Sequence, residues 1–204
     1  MLVRDGADYK HVDKLMERWG WPMGPAYLLD VVGLDTGVHA EGVMAAGFPE
    51  RMGKSFKAPT DIMFANERLG QKNKQGFYNY ELDRKGKQVK VESSEAVALL
   101  QAEYGELKTI SDEEIIARMM VPMATELARC LEENVVESPA DADMALIYGL
   151  GFPPFRGGIF RWIDQIGWQA FKDMAAPLEK LGPLYELTEG MKARAEANQA
   201  YYEN

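Results

Sequence analysis

Apolar positions recur at intervals of three and four along most of the chain, so helices dominate the predicted elements. Val12, Leu15, Met16 and Trp19 share one face of a first helix, with charged residues between them and Gly20 as its stop. Pro25 opens a second helix carrying Tyr27, Leu28, Leu29, Val31 and Val32, and Asp35 caps a third whose inner face holds Val38, Val43 and Met44. Ser111 and Glu114 form a capping box ahead of the longest pattern, Ile115, Ile116, Met119, Met120, Met123, Leu127, Cys130 and Leu131. Pro122 lies inside that pattern, as a bend or as a mark of its first turns. Ser138 and Pro139 start a further helix that reaches about Tyr148.

One stretch departs from the helical period. Phe77-Tyr78-Asn79-Tyr80, the polar turn Asp83-Arg84-Lys85-Gly86 and Val89-Lys90-Val91 read as a short β-hairpin within residues 76–92. Ser93 and Ser94 then cap another helix. The predicted fold class is all-α, with a first helical unit over 1–92 that ends in the hairpin and a second over 93–204.

The two halves repeat one another. Val12-Asp13-Lys14-Leu15-Met16 followed by Gly20-Trp21-Pro22 parallels Ala142-Asp143-Met144-Ala145-Leu146 followed by Gly151-Phe152-Pro153, and Asp30 parallels Asp164 within matching apolar runs. The second copy is led by the amphipathic helix of residues 112–131, whereas only Leu2-Val3 precedes Arg4-Asp5-Gly6 in the first. The first copy is therefore expected to lack its leading helix, and the chain to be a piece of a longer polypeptide. An apolar groove beside Val12, Leu15, Leu28 and Val32 would then invite a non-native dimer.

Charge and composition narrow the function. A net charge of −9, from 23 basic and 32 acidic residues, offers a nucleic-acid backbone little to hold. The single cysteine, Cys130, closes no internal disulfide and suits a reducing compartment, which predicts a cytoplasmic location. The start has no apolar signal-peptide stretch, and Gly149, Gly151, Pro153 and Pro154 break the longest apolar tract, so neither a signal nor a membrane span is predicted.

Catalytic patterns are sparse. No serine stands in a Gly-x-Ser-x-Gly elbow, and His11 and His39 are far apart without a carboxylate at ligand spacing, so no catalytic or metal residue is assigned. Gly149-Leu150-Gly151-Phe152-Pro153-Pro154 begins like a dinucleotide fingerprint but follows a helix and ends in proline, so no NAD site is expected here. Asp30 and Asp164, being repeat equivalents, read as caps or turn organisers, and Arg156, beside Gly157-Gly158, as a surface arginine or, less favoured, a contact for a ligand phosphate or carboxylate. Between Arg68 and Lys90, seven basic residues face only Glu81 and Asp83, a patch that suits CoA phosphates or a partner if it is not simply a solvated hairpin edge.

Three segments carry a family resemblance. Gly20-Trp21-Pro22-Met23-Gly24-Pro25-Ala26-Tyr27-Leu28-Leu29-Asp30-Val31-Val32-Gly33-Leu34-Asp35 resembles the start of the C-terminal region of L-3-hydroxyacyl-CoA dehydrogenases. Leu69-Gly70-Gln71-Lys72-Asn73-Lys74-Gln75-Gly76-Phe77-Tyr78 is similar to the segment closing that family's first helical domain. The run from Asp143 to Gly158 is similar to the tandem domain of multifunctional fatty acid β-oxidation proteins, the bacterial fatty acid oxidation complex α subunits among them. The resemblance implies a parent with enoyl-CoA hydratase and NAD-dependent dehydrogenase parts, a 3-hydroxyacyl-CoA substrate and a thiolase β subunit as partner. It implies one substrate-binding residue in this chain, Tyr148, and NAD held by a domain absent from it, so that the isolated piece is inactive. The alternative is a free-standing, non-enzymatic helical module that binds acyl-CoA or a partner.

Overall fold

The computed structural model describes residues 1–202, in two compact units treated separately below. The first comprises Met1–Trp19 and Met23–Ser111; the second comprises Gly20–Pro22 and the chain from Asp112 onward.

In the first unit, α1 (Tyr9–Trp19) and α2 (Pro25–Val32) pack together, followed by α3 (Leu34–Gly47), the single turn α4 (Pro49–Met52) and α5 (Pro59–Ala65). The predicted hairpin is present: β1 (Tyr78–Leu82) pairs antiparallel with β2 (Gln88–Glu92), Tyr78 opposite Glu92. Asp83 makes its turn, accepting the Lys85 and Lys87 amides at 2.8 and 2.9 Å, with Gly86 at a φ of 74°. Ser93 caps α6 (Ser94–Tyr104) by accepting the Ala96 amide. The core joins Tyr9, Leu34, Ile62, Met63, Phe77, Tyr78 and Tyr80 with Ala96 and Leu100 of α6.

Three sequence expectations change here. The helix assigned to the second unit, α6, belongs to the first, because Ala96 and Leu100 complete its core. Val43 and Met44 face outward on α3, where Gly33 rather than Asp35 precedes the first turn. Val12 and Leu15, expected to line an open groove, are buried, whereas Leu28 and Val32 are exposed on α2.

In the second unit, α7 (Asp112–Glu132) runs without interruption past Pro122 and packs on α10 (Trp168–Ala175) and α11 (Glu189–Ala197). Between them come α8 (Pro139–Leu150), capped by Ser138, and α9 (Ile159–Ile166). Short 3-10 segments at Ala176–Leu181 and Pro183–Tyr185 follow α10. Ile115, Met120, Val121, Phe152, Phe160, Ile163, Phe171 and Met191 are fully enclosed. Thr188 caps α11 through the Met191 amide and donates its hydroxyl to Glu132 of α7.

Candidate functional site

The internal repeat holds four carboxylates in corresponding places. Asp13, on α1, accepts the Ala26 and Tyr27 amides at the start of α2 at 2.8 and 3.0 Å, and the Tyr78 hydroxyl at 2.9 Å. Asp143, on α8, accepts the Phe160 and Arg161 amides at the start of α9 at 2.9 and 3.1 Å, and the Tyr202 hydroxyl at 2.7 Å. Each thus satisfies helix N-terminal donors that have no partner within their own helix. Asp30 accepts the Phe77 and Tyr78 amides and the Tyr80 hydroxyl, and Asp164 accepts the Tyr201 and Tyr202 amides.

Glycine makes the first of these contacts possible. A Cβ on Gly24 would lie 2.3 Å from Asp13, and one on Gly158 would lie 2.1 Å from Asp143. A cation covers the latching tyrosine in both units: Lys90 lies 4.4 Å from the Tyr78 ring centre, and the Arg161 guanidinium 3.6 Å from that of Tyr202.

The hydrogen bonds these groups make hold the fold together. Burial pushes the Asp13, Asp30 and Asp143 carboxyls above the ordinary carboxylate value, against the pull of their hydrogen-bond donors. Burial likewise raises Tyr78, Tyr80 and Tyr202, so the phenols remain protonated donors. Asp30 and Asp164, expected to cap helices or organise turns, instead accept amides 47–48 and 37–38 residues further along the chain. The tyrosines that complete the two latches escaped the repeat alignment, although an aromatic pair, Phe77-Tyr78 and Tyr201-Tyr202, closes each copy.

Tyr148 stands on the last turn of α8, before Gly151 ends the helix at a φ of 73°. Tyr148 is 81% exposed, so its ring does not pack on the core. Met144, one turn earlier, Leu150 and Phe155 are also exposed, and Arg156 lies 5.2 Å from the Phe155 ring centre. This helix end therefore presents an aromatic and aliphatic surface with one cation beside it and a phenol able to exchange one hydrogen bond. It holds no nucleophile–base pair.

Part of the basic segment is tied into the fold, while Lys74, Arg84, Lys85 and Lys87 stand exposed. Arg68 is 1% exposed and donates to the Gly76 carbonyl, Glu95, Asn79 and Ser93; Lys72 pairs with Asp35 at 2.6 Å; Lys90 covers Tyr27 and Tyr78. Gly149-Leu150-Gly151 terminates a helix, and the described sheet is a two-stranded antiparallel pair, so these residues do not fit a dinucleotide. Among the described residues no cluster of three histidine, cysteine or acidic side chains could hold a metal, and no helix is long and apolar enough to cross a membrane.

The sequence profile described as 3-hydroxyacyl-CoA dehydrogenase, C-terminal domain, matches residues 1–80 and 115–201. The chain belongs to this family. Solved structures carry the same fold: the dehydrogenase part of multifunctional enzyme 1 from C. elegans is 21% identical with a TM-score of 0.66 over 94% of this chain. The 3-hydroxybutyryl-CoA dehydrogenase of Escherichia coli K12 is 18% identical with a TM-score of 0.64 over 98% of it. The chain spans 43% and 54%, respectively, of the length of these two proteins.

Proposed function

We propose that the chain is the substrate-enclosing C-terminal part of an NAD-dependent 3-hydroxyacyl-CoA dehydrogenase of fatty acid β-oxidation. Its parent is a multifunctional cytoplasmic protein that also carries enoyl-CoA hydratase activity and associates with a thiolase β subunit. The observation that supports this most directly is the family match in both halves, each closed by the same aspartate–tyrosine latch. The single cysteine accords with a reducing compartment.

In this reading NAD, which accepts the hydride, and the base that takes the substrate proton belong to a nucleotide-binding domain. The residues of this chain bind and orient the acyl-CoA, with Tyr148 as a substrate contact. Such positioning accelerates a reaction only when the reacting groups are present, so the chain alone is inert.

Mixing the purified chain with NAD and 3-hydroxybutyryl-CoA should give no NADH, whereas joining it to the nucleotide-binding part of a family member should give turnover. In that joined enzyme, Tyr148→Phe should raise KM more than it lowers kcat. NADH formation by the chain alone overturns the proposal. Tight acyl-CoA binding by the isolated chain in calorimetry would instead favour a free-standing binding module.

A further inference from the structure

The second unit contains an open cavity of about 500 Å³ that the acyl-CoA reading does not use. Its walls come from the first turns of α7 (Ile116, Ala117), the end of α10 (Met174) and the 3-10 segment after it (Pro177, Leu178, Leu181). Ala117 and Leu178 are buried at its floor, while Ile116, Met174 and Leu181 are only partly covered. A volume of this size lies in the range of sites that enclose a ligand or a pair of side chains.

The rim is acidic. Glu113, Glu114 and Asp173 stand around the opening with Lys180 as the single cationic lining residue. Asp112, Glu113 and Glu114 together exceed what the helix terminus of α7, equivalent to about half a positive charge, needs for compensation. Arg118 lies 3.5 Å from Glu114, and Asp173 accepts the neutral Gln169 amide at 2.8 Å. The opening therefore repels CoA phosphates and attracts cations, in a chain whose net charge is −9.

We infer that this cavity is a docking site for a basic amphipathic segment of a partner protein. Its large apolar side chains fill the cavity, and its lysines or arginines meet Glu113, Glu114 and Asp173. Apolar filling supplies the affinity and the acidic rim selects the partner's charge.

The test uses the full chain and a synthetic helical peptide with leucines on one face and lysines beside them, followed by fluorescence anisotropy. A peptide with glutamates in place of the lysines is the mirror probe. The lysine peptide should bind, lose affinity as salt rises, and outbind the glutamate peptide by at least about tenfold. Glu113→Lys with Asp173→Lys should weaken it about tenfold, and Ile116→Ser should weaken it without changing its salt dependence. Glu133→Lys with Glu196→Lys, exposed positions outside the cavity lining, makes the same change in net charge and should leave binding nearly intact. Thermal melts establish that each variant is folded. No binding by the lysine peptide, equal binding of the two peptides, equal losses in the two charge-reversed variants, or an inert Ile116→Ser would overturn the inference.

Discussion

Tyr202 donates its hydroxyl to Asp143 at 2.7 Å, and the same bond joins Tyr78 to Asp13 at 2.9 Å in the other unit. In both cases the carboxylate also holds the first amides of the next helix, so one side chain fixes the start of a helix and a tyrosine far along the chain together.

Asp13→Asn and Asp143→Asn should each lower stability by about 2–4 kcal/mol, because the amide NH2 turns a donor toward backbone N–H groups that need an acceptor. Tyr78→Phe and Tyr202→Phe lose a single bond to a charged group and should cost about 1.5–3 kcal/mol each. Urea denaturation measures both, and a cost confined to the aspartate variants would show that the tyrosines do not close the latch.

Gly24→Ala should destabilise by about 1–3 kcal/mol, since its Cβ enters the space of Asp13. Gly42, inside α3, has nothing within 4 Å of its would-be Cβ. Gly42→Ala should therefore stabilise, by about 0.5–1 kcal/mol. Thermal melts of the two variants should move in opposite directions.

Arg68→Lys keeps the charge but loses the guanidinium fork that joins the Gly76 carbonyl, Asn79, Ser93 and Glu95. A loss of about 1–3 kcal/mol is expected from buried acceptors left without a donor, Glu95 itself being largely exposed. Hydrogen exchange should speed up first in the hairpin amides, and unchanged protection from Tyr78 to Leu82 would refute the pinning role.

The aspartates also predict opposite responses to acid. Burial raises Asp143 in the folded state, so the folded protein holds a proton that the unfolded chain has released, and lowering the pH through that window favours folding. Asp35 is lowered chiefly by its hydrogen bond from Lys72, so its contribution exists above the unfolded value and is lost as the pH falls through the folded one. Between neutrality and about pH 4, the advantage of wild type over Asp143→Asn should widen, whereas its advantage over Asp35→Asn should narrow at still lower pH. Melting temperature against pH for the three proteins checks both signs.

Periodicity and punctuation alone determined the helices from α1 to α3, the hairpin with its Asp83–Gly86 turn, the caps at Ser93 and Ser138, and the repeat. Each is governed by residues a few positions apart, whose spacing is visible along the chain. Tertiary structure decided that α6 joins the first unit, that Val43 and Met44 face outward, that Tyr148 stands exposed, and that Arg68 is buried instead of basic surface. It also decided the latches: Asp30 reaches the Tyr78 amide across 48 residues and Asp13 its hydroxyl across 65. Every non-proline residue carries a backbone amide, so side-chain pattern cannot mark which one a distant carboxylate will meet. Only packing brings the two together.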